Sequence, residues 1–145
     1  MRAFGPQSLP PKLKRPKPPP RYIAAMRLNY EGGMVLELPI MLRPESNMRE
    51  HWAKKAKRVQ TQRGQVRLER QAFSGIKLPC SVVVTRVAPR PLDDDNATRS
   101  AKGVRDEVAA LLGVDDRDPR VTFKVDQERR GVRVYGVVIK ITETP

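Results

Sequence analysis

Between Pro79 and the turn Pro89-Arg90-Pro91 the chain reads Cys80-Ser81-Val82-Val83-Val84-Thr85-Arg86-Val87, β-branched and without strict polar–apolar alternation. A run of this kind suits a strand covered on both faces, in the middle of a sheet. Proline at each end fixes its limits, because the ring cannot donate to a ladder. The rest of the chain has to be arranged around this strand.

The segment after the strand is acidic. Pro89-Arg90-Pro91 delivers the chain into Asp93-Asp94-Asp95-Asn96, and Asp115-Asp116-Arg117-Asp118 comes soon after. Eight of the sixteen acidic residues lie between Asp93 and Asp118, in a chain of net charge +13. So basic a chain has reason to disperse its carboxylates among its cations. Concentrating them needs an offset: a divalent cation, a raised pKa or solvent exposure. A hard cation is the expected offset. Asp93 and Asp95, one residue apart, face the same side if the backbone is extended and can share one ion, with a third carboxylate from the 115–118 loop.

The charge is uneven along the chain. Residues 1–77 carry 17 Lys and Arg against 5 Asp and Glu, whereas residues 78–145 carry 12 against 11. A basic half beside a nearly neutral half with an acidic hot spot suggests phosphate-backbone binding next to a metal site. One cysteine, Cys80, excludes an internal disulfide, and one histidine, His51, argues against a His-based zinc centre. No apolar run approaches the roughly 18–20 residues needed to cross a bilayer, and the N-terminus lacks a signal-peptide core. The expected compartment is a bacterial or phage-infected cytoplasm, with no membrane partner.

At 145 residues one domain is expected, over 25–145, preceded by a flexible basic arm over 1–24 that is rich in proline and lysine. Met34, Leu36 and Leu38 mark a first strand within 25–41, after a Gly32-Gly33 turn. Ser46-Asn47 offers a cap for a helix from Met48 to about Phe73, with Trp52, Ala56 and Val59 as its buried stripe and Gly64 weakening its middle. Its cations Arg49, Lys54, Lys55, Lys57, Arg58, Arg63, Arg67 and Arg70 are candidates for DNA contact.

A second helix is expected over Ala97–Leu112, capped by Asp95 or Asn96. Ala97, Ala101, Val104 and Val108 form its apolar face, and Gly113 its C′ residue. Lys102 and Asp106 stand four apart on another face, with Arg99 three residues before Lys102. Arg120–Val125 and Gly131–Thr142 read as a closing hairpin, with Gly136 as a candidate bulge. The fold class is α+β: a small mixed β-sheet with two main helical segments.

The order strand, Pro-Arg-Pro-Leu-Asp93-Asp94-Asp95-Asn96, helix with Lys102 and Asp106, Leu-Gly-Val, then Asp115-Asp116 resembles the RusA family of Holliday-junction resolvases. The likeness covers roughly residues 34–142. It implies a RusA-like fold and a homodimeric endodeoxyribonuclease that uses Mg²⁺, or Mn²⁺ in its place, to cut four-way DNA junctions in recombination and repair. By that resemblance Asp93 and Asp95 match the metal-binding carboxylates, Asp116 the later essential acid and Lys102 the catalytic lysine. The pattern departs in two places. Arg99 occupies the nearer position after Asn96, so the catalytic cation is Lys102 or Arg99. Asp115 and Asp118 are alternatives to Asp116.

Overall fold

The computed structural model describes residue 11, residues 15–44 and residues 51–145. The chain runs β1 (Arg21–Tyr22), β2 (Met26–Tyr30), β3 (Gly33–Leu38), α1 (Trp52–Arg67), a 3-10 turn (Arg70–Phe73), β4 (Cys80–Val87), α2 (Asp94–Ser100), α3 (Lys102–Leu111), β5 (Val121–Glu128) and β6 (Val134–Glu143). The strands form one mixed six-stranded sheet in the order β2-β3-β6-β4-β5, and β1 pairs parallel with β6. The class is therefore α+β, as expected, with three α-helices among the described residues. None of these helices is long and apolar enough to cross a membrane.

The apolar run at β4 lies inside the sheet, parallel to β5 and antiparallel to β6. Its burial is one-sided, however. Cys80, Val82, Val84 and Arg86 are buried, while Ser81, Val83 and Thr85 between them are half-exposed. One apolar cluster joins alternate residues of β3 (Met34, Leu36, Leu38), β4 and β6 (Val137, Ile139, Ile141) to Val66, Phe73, Ala101, Val104 and Val108. The core thus lies between one face of the sheet and the helices. The expectation of two covered faces fails because β-branching alone does not tell a covered face from a half-wet one.

The expected hairpin of β5 and β6 does not form. Antiparallel β6 enters between β3 and β4, and β5 pairs with β4 through the parallel register Cys80↔Val121 to Val87↔Glu128. The link from Glu128 to Val134 therefore passes over the end of β4. The strand richest in valine takes the position with two neighbours, and β5, exposed at Thr122 and Lys124, takes the edge. Gly136 is no bulge, since its pairing with Val87 continues the ladder. A Cβ there would collide with the Ile23 side chain and come within 3.2 Å of the Leu38 carbonyl oxygen. Ile23 also donates its N–H to the Tyr135 carbonyl at 3.0 Å. The last residues of the segment expected as an arm are thus built into the sheet.

Helix α1 begins at Trp52, with His51 as N-cap accepting from the Ala53 N–H at 3.2 Å. The expected cap at Ser46-Asn47 lies outside the described residues. The helix continues through Gly64 to Arg67. Its expected apolar stripe fails at the N-terminal end: Trp52 is 76% exposed and Ala56 exposed, and the buried positions are Gln62 and Val66. Only the C-terminal half reaches the core.

The single helix expected over 97–112 is two. Ser100 Oγ donates to the Ala97 carbonyl at 2.7 Å, competing with the Ala101 N–H, which is shared between Ala97 and Thr98 at 3.2 and 3.3 Å. Serine back-bonding of this kind bends helices. The cap is Asp93 rather than Asp95 or Asn96, and Gly113 sits past the end at φ +73° as expected.

Candidate active site

The acidic segment is positioned from beneath. Arg86, on the core-facing row of β4, is 5% exposed. Its Nε donates to the Leu42 carbonyl and its Nη1 to the Arg90 carbonyl, both at 2.9 Å. Gln127 of β5 completes the hold, its Nε2 donating to the Leu92 carbonyl and its Oε1 accepting the Leu92 N–H, both at 2.7 Å. The loop between β4 and α2 is therefore tied at Arg90 and Leu92, directly before Asp93. Among the described residues the acceptors of Arg86 are all neutral, and burial pulls its guanidinium below its ordinary pKa.

Asp93 is extended (φ −63°, ψ 161°), whereas Asp94 and Asp95 form the first turn of α2. The same-side geometry expected of an extended Asp93–Asp95 pair does not apply, because Asp95 is helical. All three are exposed, and none of their carboxylates makes a hydrogen bond or ion pair with a described residue. Several other carboxylates are engaged: Glu37 and Glu128 by Arg130, Asp106 by Lys102, Asp126 by Lys124. Three acids at a helix start are favoured by the backbone dipole, by roughly 0.3–1 kcal/mol each. Like-charge repulsion between neighbours offsets part of that.

Where α2 meets α3, a cleft of about 200 Å³ is lined by Thr98, Arg99, Lys102, Arg105, Asp106 and Asp116. Lys102 Nζ lies 3.3 Å from Asp106 Oδ2, the expected i, i+4 pair. Arg99 shares the cleft, so both candidate cations face it. Arg105, not a candidate from the sequence, stacks on Phe123 at 4.8 Å, and its buried Nε meets no partner among the described residues.

The three acids of the 115–118 loop have separate tasks. Asp118 is clasped by Arg120, through Nη2 at 2.8 Å, Nε at 3.1 Å and the backbone N–H at 2.9 Å, which holds its carboxyl at about 2. Asp115 accepts the Arg117 N–H at 3.0 Å, which with the neighbouring Asp116 carboxyl lowers its pKa. Asp116 is the one that lines the cleft.

Exposed, unpaired hard oxygens at Asp93–Asp95 suit Mg²⁺, which needs only one or two carboxylates when water and substrate phosphate fill the rest. The expected third carboxylate is not gathered with them. Among the described residues no three His, Cys, Asp or Glu side chains form a group able to hold a metal ion.

The basic helix presents only some of its cations at the surface. Lys54, Lys55 and Lys57 are exposed and Arg58 half-buried, and Lys55 lines a groove of about 230 Å³ with Arg99 and Lys102. Arg63 and Arg67 instead grip Glu107 of α3, which is 2% exposed: Arg63 Nε at 3.0 Å, Arg67 Nε at 2.6 Å. The Arg67 hydrogen bond leads the effects that lower the Glu107 pKa. These two cations brace α1 against α3. Arg49 lies outside the described residues, and Arg70 is exposed in the 3-10 turn.

Arg86, Gln127 and Glu107 do not stand out in the sequence as site residues. Arg86 does carry a signal: it continues the Val82, Val84 phase of an apolar strand, where a charge is costly without partners. Glu107 likewise adjoins Val104 and Val108 on a helix with an apolar face.

No family model matches the chain. It is similar to an uncharacterized protein of Xylella fastidiosa strain Temecula1, 37% identical over 82 residues, covering 49% of this chain and 52% of that protein. The chain thus spans about half the length of this curated relative.

Proposed function

We propose that this chain is a RusA-type, Mg²⁺-dependent endodeoxyribonuclease that resolves four-way DNA junctions by paired, symmetric phosphodiester hydrolysis. The observation that carries the reading is the trio Asp93–Asp95, its carboxylates without partners among the described residues of a chain of net charge +13, and tied through Leu92 to Gln127 of edge strand β5. Asp93 and Asp95 would hold the cation, with Asp116 the further acid that the RusA resemblance suggests. A bound divalent cation supplies charge stabilisation at the phosphate and lowers the pKa of water. Lys102 or Arg99 steadies the phosphate as charge develops. Lys54, Lys55, Lys57 and Arg58 supply backbone contacts.

A homodimer fits a substrate with two-fold symmetry. Its support here is edge strand β2, where Met26, Leu28 and Tyr30 alternate along one face and all are exposed. The setting is a bacterial or phage-infected cytoplasm, in recombination or repair.

That no three acids gather into one group among the described residues favours a second reading, a junction-binding protein without catalysis. Cutting rates on junction, fork and linear duplex in Mg²⁺ decide between them. A resolvase cuts the junction fastest, whereas a binding protein cuts none.

A further inference from the structure

A strongly cationic concavity lies beside the loop that leads to the acidic trio. A cavity of about 700 Å³ opens where the ends of β4 and β6 meet the loop after β4, and Lys17, Arg86, Arg90, Arg129 and Arg133 line it together with Tyr135. Among the described residues no acidic side chain contributes to the lining. Among the described residues no carboxylate pairs with any of the five cations, whereas Arg130, beside Arg129 in sequence, is taken by Glu37 and Glu128. Folding has brought like charges together around one concavity and left them unneutralised.

Two of the cations are held there at a cost. Arg86 is 5% exposed with neutral acceptors, the arrangement in which a buried charge lacks its compensation. Arg133 adopts φ +56°, a left-handed conformation unfavourable for a residue with a side chain, and its Nε is buried without a partner among the described residues. Five cationic side chains around one concavity, without a carboxylate partner among the described residues, suit an anionic ligand with phosphate oxygens.

We propose that this cavity binds a backbone phosphate of a nucleic-acid strand, as a second anchoring point beside the acidic segment. It shares Pro89 and Arg90 with the loop that ends at Asp93, so a strand held there is directed along that loop. None of its residues belongs to the basic helix. The inference takes its ligand class from the proposed function but does not depend on cleavage.

The test is binding in EDTA, by fluorescence anisotropy, of a four-way junction with 5′-hydroxyl ends. Arg129→Ala/Arg133→Ala is compared with Lys124→Ala/Lys140→Ala, which removes the same charge from exposed strand positions. The first pair weakens binding about tenfold and lowers the log–log salt slope by about one to two, and the second changes neither. Equal effects of the two pairs overturn the proposal. Pyrophosphate gives a second arm: it raises the melting temperature of the wild-type protein and not of the Arg129/Arg133 variant. An equal rise in both, or pyrophosphate binding with unchanged DNA affinity, also overturns it. The assay reads binding without Mg²⁺, so its outcome is independent of cleavage, and failure of the nuclease reading shows separately as wild-type protein that binds the junction and does not cut it in Mg²⁺.

Discussion

The side-chain amide of Gln127 closes a ring with the backbone of Leu92, donating to its carbonyl and accepting from its N–H at 2.7 Å each. Leu92 immediately precedes Asp93, so the acids that carry the proposed chemistry take their position from a residue on another strand. A side chain can act on catalysis in this way without touching substrate.

Gln127→Ala removes both bonds and leaves the Leu92 groups to solvent. Stability falls by about 1–2 kcal/mol, as for loss of two partly buried hydrogen bonds. Cleavage falls by roughly tenfold or more through misplacement of Asp93. Junction affinity in EDTA stays near wild type. Chemical denaturation, single-turnover cleavage and anisotropy measure the three effects, and an unchanged cleavage rate would remove Gln127 from any positioning role.

Glu107 joins α3 to α1 through Arg63 and Arg67. Its carboxyl is held below its ordinary pKa of 4.5, first by the Arg67 hydrogen bond, so the folded state binds its proton less readily than the unfolded state. The stability it contributes is present above about pH 4.5 and is lost as pH falls through the lowered folded value. Glu107→Gln lowers stability at pH 7 by roughly 1–3 kcal/mol, because the charge-assisted bonds weaken in a buried setting. The gap between variant and wild type narrows as pH falls below about 4.5 and closes below the lowered folded value. Urea midpoints from acid to neutral pH test this, and a gap that widens on acidification contradicts it.

Around the cleft the separate tasks of neighbouring residues predict separate effects. Asp116→Asn lowers cleavage by about 10²-fold or more, in the range for a directly acting group, while Asp118→Asn leaves the rate within a few-fold. Asp118 is already committed to Arg120. Lys102→Ala reduces the rate more than Arg99→Ala, in keeping with its i, i+4 relation to Asp106. A larger loss from Asp118→Asn reverses the assignment within the loop.

Leu28, exposed on edge strand β2, tests the assembly. Leu28→Asp places a charge in the apolar row and converts a dimer to a monomer by light scattering, with the fold retained by circular dichroism. A wild-type protein that is monomeric at micromolar concentration contradicts β2 as the interface.

The fold class, the interior position of β4, the Gly113 cap and the Lys102–Asp106 pair were legible because each rests on short-range periodicity or a single turn. Sheet order was not. The Arg120–Thr142 segment has the local pattern of a hairpin, and only competition for the place beside the valine-rich strand puts β4 between its two halves. The stripe Trp52, Ala56, Val59 has helical spacing, but spacing does not say which end of a helix reaches the core. Arg63 and Arg67 look like any exposed cations until Glu107, distant in sequence, is seen buried beneath them. Asp115, Asp116 and Asp118 are equivalent in sequence and become distinct only through local turn bonds and the Arg120 clasp.

The most direct measurement is cleavage of a labelled four-way junction by wild type in Mg²⁺, by wild type in EDTA and by Asp95→Asn in Mg²⁺. Paired nicks at symmetric positions with wild type and Mg²⁺ alone are the predicted result. Tight junction binding without cuts in Mg²⁺ or Mn²⁺, or equal cutting by folded Asp95→Asn, would contradict a resolvase built on the Asp93–Asp95 segment.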